Sequence, residues 1–243
     1  EGIFSCDFQL ANQNWSESYS LPVISRDGQI LESQVEKEAC NMNLDWRKRV
    51  SFHAVLEPSC MNRFSARITM VDKKPGNPAY LEEEHIKEAC CYSNDRIRVR
   101  INPETGLLDS YEVDGEEYLR EGSGALVVMK TDCDPWGMNR HSYREELGRF
   151  RLMGKEEGSR YSGTSNERHG SAGCLIPSVR IVEDGPVKRV VEAVMEYGLS
   201  QACIRYILPA RGTKLRVEIR VNWAEKGAFL KWEIPAVLKE AIP

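Results

Sequence analysis

Apolar and polar residues alternate with a period of two along most of the chain, the spacing of strands that bury one face. A clear case lies at residues 95–119, where Ile97, Val99 and Ile101 alternate with Arg96, Arg98 and Arg100. Asn102-Pro103-Glu104-Thr105-Gly106 supplies a turn, because Pro103 presets its φ and Gly106 accepts φ > 0. A second strand then places Leu108, Ser110 and Glu112 on one face and Leu107, Asp109, Tyr111 and Val113 on the other. Asp114-Gly115 turns the chain again before Tyr118-Leu119. The pattern predicts a β-meander.

The same signal organises the rest. Residues 4–10, 19–24, 30–34, 50–56 and 64–71 read as short strands, with a hairpin turn at Arg26-Asp27-Gly28-Gln29. In residues 50–56, Val50, Phe52, Ala54 and Leu56 share a face, while residues 37–46 are irregular and polar. Residues 1–80 are therefore expected to form a small all-β sandwich. The breakers Lys73-Lys-Pro-Gly-Asn-Pro78 and the acidic Glu82-Glu-Glu84 mark a boundary, with a short helix within 80–88. Residues 81–243 form the second, larger β unit. Its Ala125-Leu-Val-Val-Met129 run predicts a strand buried on both faces. Further strands are expected at 178–183, 187–197, 202–208 and 229–234. Between the last two, Leu215, Val217, Ile219, Val221 and Trp223 alternate with Arg216, Glu218, Arg220 and Asn222. Residues 131–173 have little sustained period, over a length that marks a functional or mobile stretch. Within it, residues 144–153 leave strand and helical turn equally open.

Composition narrows the function classes. With 41% hydrophobic and 29% charged residues the chain can build a real core. A net charge of −4 argues against a nucleic-acid partner, and no apolar run approaches a membrane span. Eight cysteines are scattered without a CxxC pair, which predicts buried or half-buried free thiols in a reducing, cytoplasmic compartment. The first residues, Glu1-Gly-Ile-Phe-Ser-Cys6, carry neither an initiator Met nor a signal-peptide pattern, so the chain is expected to be internal to a longer polypeptide.

Candidate chemistry is sparse. Asp132 and Asp134 flank Cys133 just before Pro135-Trp136, a pair of carboxylates beside an aromatic that can stack on a sugar face. His53, His85, His141 and His169 form no His-x-His, His-x-Asp or HExxH pattern. A metal held by His141, His169 and Asp134, or a Cys133–His141 nucleophile pair, would need the fold to assemble it. No GxSxG elbow or phosphate loop occurs, and Gly122-Ser-Gly124 lacks the following Lys. Arg47-Lys-Arg49 reads as a solvated strand entry. The residues thus describe a β scaffold without a catalytic constellation.

Several stretches, taken in order, resemble the C-terminal β region of family 38 glycoside hydrolases, the retaining α-mannosidases. Asn14-Trp15-Ser16, Asp27-Gly28 and Gln34 are similar to that family's small sandwich. Residues 98–110 with Asp114-Gly-Glu-Glu-Tyr-Leu119 resemble the start of its large, galactose-mutarotase-like β-supersandwich. Asp132-Cys-Asp-Pro-Trp-Gly137 resembles its acidic-aromatic loop, and Val182-Glu-Asp-Gly-Pro-Val-Lys-Arg-Val190, residues 215–223 and Leu230-Lys231 match the strands after it. The resemblance implies an all-β chain: a small β-sandwich followed by part of the supersandwich, ending before its last strands. It implies that zinc and the nucleophile belong to an N-terminal barrel, so no catalytic or metal residue is carried over to this chain. The transferred residues are Asp132, Asp134 and Trp136, as contributors to the wall of the sugar site. The implied partners are mannosides, the barrel and a helical domain, with self-association left open. Two other readings remain: a free-standing carbohydrate-binding sandwich, and a mutarotase-like epimerase using His141 and His169.

Overall fold

The computed structural model describes residues 1–10, 18–36, 47–72, 83–132, 136, 143–162 and 175–237. The chain divides into two compact units, one made of residues 1–79, 183–189 and 209–212, the other of residues 80–182, 190–208 and 213–243. Both are antiparallel β-sandwiches.

The first unit starts with β1 (Gly2–Gln9) and β2 (Tyr19–Arg26). Asp27 and Gly28 then take φ of 51° and 81°, the two positive values of a tight hairpin turn, leading into β3 (Gln29–Ile30). The sequence reads 30–34 as one returning strand. Instead the chain leaves the sheet after Ile30 and forms β4 (Ser33–Glu36) in the opposite sheet. β5 (Arg47–Ala54) and β6 (Ser65–Val71) complete the unit. The sheets are β1-β5-β4 and β3-β2-β6. Ile24 from one sheet and Val35, Val50, Phe52 and Ala54 from the other form the core, with Phe4, Phe8 and Phe64 packed around it. Leu56 lies past the end of β5 and is exposed. The irregular stretch at 37–46 lies outside the described residues.

The second unit opens with α1 (Glu83–Ala89), where the sequence places a short helix, and β7 (Cys91–Ser93). The meander follows as β8 (Ile97–Ile101), β9 (Leu108–Val113) and β10 (Glu116–Glu117). Ile97, Val99 and Ile101 are buried and Arg98 and Arg100 exposed, as the alternation requires. The facing of β9 differs from expectation. A bulge between Arg100 and Ile101 pairs Arg100 with Ser110 but Ile101 with Leu108. Leu108 therefore joins Tyr111 and Val113 at the core instead of sharing a face with Ser110 and Glu112.

β11 (Ala125–Lys130) is the central strand of a three-stranded sheet, β12-β11-β18, and is buried on both faces. Leu126 and Val128 enter the main core, while Ala125, Val127 and Met129 form a second cluster. Residues 144–153 resolve as two strands, β12 (Glu146–Arg149) and β13 (Arg151–Leu152), with Phe150 between them in the core. α2 (Lys155–Tyr161) follows. The stretch expected to be irregular thus contains two strands and a helix; its remaining parts lie outside the described residues, apart from single positions such as Trp136.

β14 (Val179–Asp184), β15 (Lys188–Tyr197), β16 (Ser200–Pro209) and β17 (Arg216–Asn222) build the largest sheet, and β18 (Ala228–Glu233) returns to β11. That sheet runs β13-β15-β16-β17, with β14 also paired to β15. Its inner residues Val191, Ala193 and Met195 on β15 and Ala202, Ile204 and Tyr206 on β16 meet Ile97, Val99, Leu126 and Val128 across the core. Each fully buried Val, Ile, Leu or Met side chain among them contributes roughly 1.5–3 kcal/mol. Tyr206, itself buried, donates its hydroxyl to the Gly106 carbonyl at 2.8 Å and so ties this sheet to the meander turn.

Five free cysteines are described. Cys90 and Cys203 are buried and Cys6 half-buried, but Cys60 and Cys91 are exposed, contrary to expectation. Cys60 follows a surface turn, and Cys91 lies beside Arg100 on the outward face of β7. No described helix is long and apolar enough to cross a membrane.

Candidate functional site

Two places in the second unit gather chemistry. The first lies where β11 ends. Its last residue, Lys130, donates Nζ to Glu145 at 2.7 Å, and the Thr131 N–H donates to the Gly227 carbonyl at 2.9 Å. These contacts fix the backbone up to Asp132, which is half-buried. Beside them Tyr143 meets Phe229 edge-on at 5.1 Å, and Lys231 donates Nζ to the Tyr143 carbonyl at 2.9 Å. Trp136 is 96% exposed, an indole presented to solvent. Asp134, His141, His169 and Cys133 lie outside the described residues. Of the three proposed wall residues, the structure therefore places two, Asp132 and Trp136. An exposed indole can stack on an apolar sugar face.

The second place is a buried ion cluster that the sequence reading missed. β14, β15 and β16 bring Arg180, Glu192 and Arg205 side by side on the face opposite the core. Arg180 Nε and Nη2 donate to one Glu192 oxygen at 2.8 and 2.6 Å, and Arg205 Nε donates to the other at 2.6 Å. Burial alone would raise the Glu192 carboxyl. The charges of both arginines and their hydrogen bonds outweigh it and hold the carboxyl below its ordinary range. Arg180 is 6% exposed, and its Nη1 finds no hydrogen-bond partner among the described residues. Neighbouring Cys203 is pushed up to about 12, first by burial and then by Glu192, so it stays a thiol and is no nucleophile at neutral pH. The signal was present: Glu192 is a lone charge inside the apolar run Val190-Val-Glu-Ala-Val-Met195. A charge there must be paired to be buried.

No group of three or more His, Cys, Asp or Glu side chains converges as a metal site among the described residues.

A two-layer antiparallel β scaffold hosts many functions, and fold by itself does not settle which. Residues 92–241, more than half of the chain, match the family model of the glycosyl hydrolases family 38 C-terminal domain, and the chain belongs to that family. No curated protein and no solved structure matches it.

Proposed function

We propose that the chain is the non-catalytic C-terminal β region of a retaining α-mannosidase. In this reading it packs on a zinc-dependent N-terminal barrel, supplied by a longer polypeptide, and helps wall the sugar site with Asp132, Asp134 and Trp136. The match of residues 92–241 to the family's C-terminal domain carries the proposal. The solvent-facing indole of Trp136 supports the wall role. The described free thiols suit a reducing, cytoplasmic setting.

The test is kinetic. In the full polypeptide, Trp136→Ala should raise KM for an α-mannoside by about tenfold, the loss expected for one aromatic contact in a sugar site. Unchanged kcat and KM would remove Trp136 from the wall. Mannose binding by the isolated chain, without hydrolysis by any longer form, would favour the reading as a free-standing carbohydrate-binding sandwich. Anomer exchange by the chain would favour the epimerase reading.

A further inference from the structure

The outer face of the sheet β10-β9-β8-β7 is hollowed into an open groove of about 890 Å³. It lies wholly within the second unit, among residues 91–121. The bulge after Arg100 makes it, because it turns Asp109 outward beside Ser110 while sending Leu108 to the core.

The lining is polar and nearly balanced in charge. Three arginines, Arg98, Arg100 and Arg120, face four carboxylates. Arg100 lies between two of them, 3.1 Å from Glu121 and 3.9 Å from Asp109. Arg98, with its side chain 78% exposed, sits at 4.0 Å from Glu112, a contact too long to engage its guanidinium fully. The remaining carboxylate, Glu117, is fixed. Ser110 Oγ donates to it, as do the backbone N–H groups of Tyr111, Tyr118 and Leu119. Partial burial raises its carboxyl, but those hydrogen bonds outweigh it and keep the group ionised. The floor is therefore rigid, while the rim offers planar guanidinium and carboxylate groups with hydrogen-bonding capacity to spare.

We infer that this groove binds a neutral oligosaccharide, at a surface separate from the proposed sugar-site wall. A polyanion would meet four carboxylates there and a polycation three arginines, so charge complementarity favours neither. An apolar partner would find only Leu119, Val99 and Tyr92. A chain of hydroxyls matches alternating donors and acceptors along the groove. The choice of a mannose polymer rests on the proposed function; the choice of a neutral glycan does not.

The experiment is calorimetric titration of the full polypeptide with three probes: a linear α-mannotetraose, a dextran-derived tetrasaccharide and heparin. The comparison is with Arg98→Ala/Arg100→Ala. Both arginines make exposed ion pairs, so the variant is expected to fold, and a thermal melt checks it; Arg98→Ala alone is the fallback. Binding of the mannotetraose, weakened about tenfold or more in the double variant, is the expected result. Turnover of a small aryl α-mannoside should not change. Binding of the dextran probe in place of the mannotetraose would keep the groove as a neutral-glycan site and count against the mannose reading. Unaltered affinity in the variants, absence of binding to either neutral probe, or preference for heparin would overturn the inference.

Discussion

At the scale of single residues, the strongest statement concerns Glu192. Its two arginine partners leave it no slack, and Arg180 is almost wholly shielded from water. Glu192→Ala leaves two guanidinium groups without their counter-charge. The expected destabilisation is about 3–5 kcal/mol, since a buried pair broken on one side strands a charge. The pH dependence follows from the direction of the shift. A carboxyl whose folded pKa lies below its unfolded value, near about 4.3, contributes stability that is fully present above that value. The contribution is lost as pH falls through the folded pKa. Thermal melts from pH 7 to pH 3 should therefore show the native chain losing its advantage over Glu192→Gln below about pH 4. A difference between the two proteins that stays constant with pH would show that Glu192 contributes by packing, not by charge.

At the scale of elements, the turn between β8 and β9 is where local geometry and core packing meet. Gly106 has φ of 71°, and a Cβ there would sit 2.8 Å from the Ala193 Cβ and 3.2 Å from Leu152 Cδ1. Gly106→Ala should cost about 2–4 kcal/mol, from the left-handed backbone and from overpacking together. Gly115, at φ of 85° in the following turn, has nothing within 4 Å, so Gly115→Ala should lose only the backbone part, about 1–2 kcal/mol. Chemical denaturation of the two variants separates these effects; equal losses would mean that the β8–β9 turn is free to move away from β15. Both glycines were legible as turns because Asn-Pro-Glu-Thr-Gly and Asp-Gly are local signals. The bulge beside them was not. Nothing in the residues 98–110 announces that one strand carries an extra residue, so alternation puts Leu108 on the face of Ser110 and Glu112 although it correctly sets Tyr111 and Val113 on the face opposite those two. Residues 144–153 were ambiguous for a related reason. Two strands of four and two residues, separated by one core residue, are too short to establish a period.

At the scale of the whole molecule, sheets were legible and their partners were not. Alternation predicts that a strand buries one face; it does not say which strand lies alongside or which segment closes a core. The residues proposed for the wall show the same limit: Asp132 and Trp136 stand out by type, whereas the Arg180–Glu192–Arg205 cluster depends on three strands meeting. The make-up of the first unit turns this into a prediction. Residues 183–189 and 209–212 belong to it, far in sequence from residues 1–79. The buried side chain of Gln34 accepts hydrogen bonds from the backbone N–H groups of Val187 and Lys188, both at 3.0 Å. Lys188 also pairs with the shielded carboxylate of Glu36 at 2.9 Å. A fragment of residues 1–80 would keep Gln34 and Glu36 but lose all three contacts. The Gln34 oxygen would then seek water at the cost of the surrounding packing, and hydrogen bonds of this kind are worth about 0.5–1.5 kcal/mol each. The fragment should therefore melt well below the full chain, while Gln34→Ala in the full chain should lose about 1–3 kcal/mol, because it orphans two buried donors. Differential scanning calorimetry of the three proteins makes the comparison. A fragment as stable as the full chain would show that the distant hairpin end is carried by the first unit without helping to hold it together.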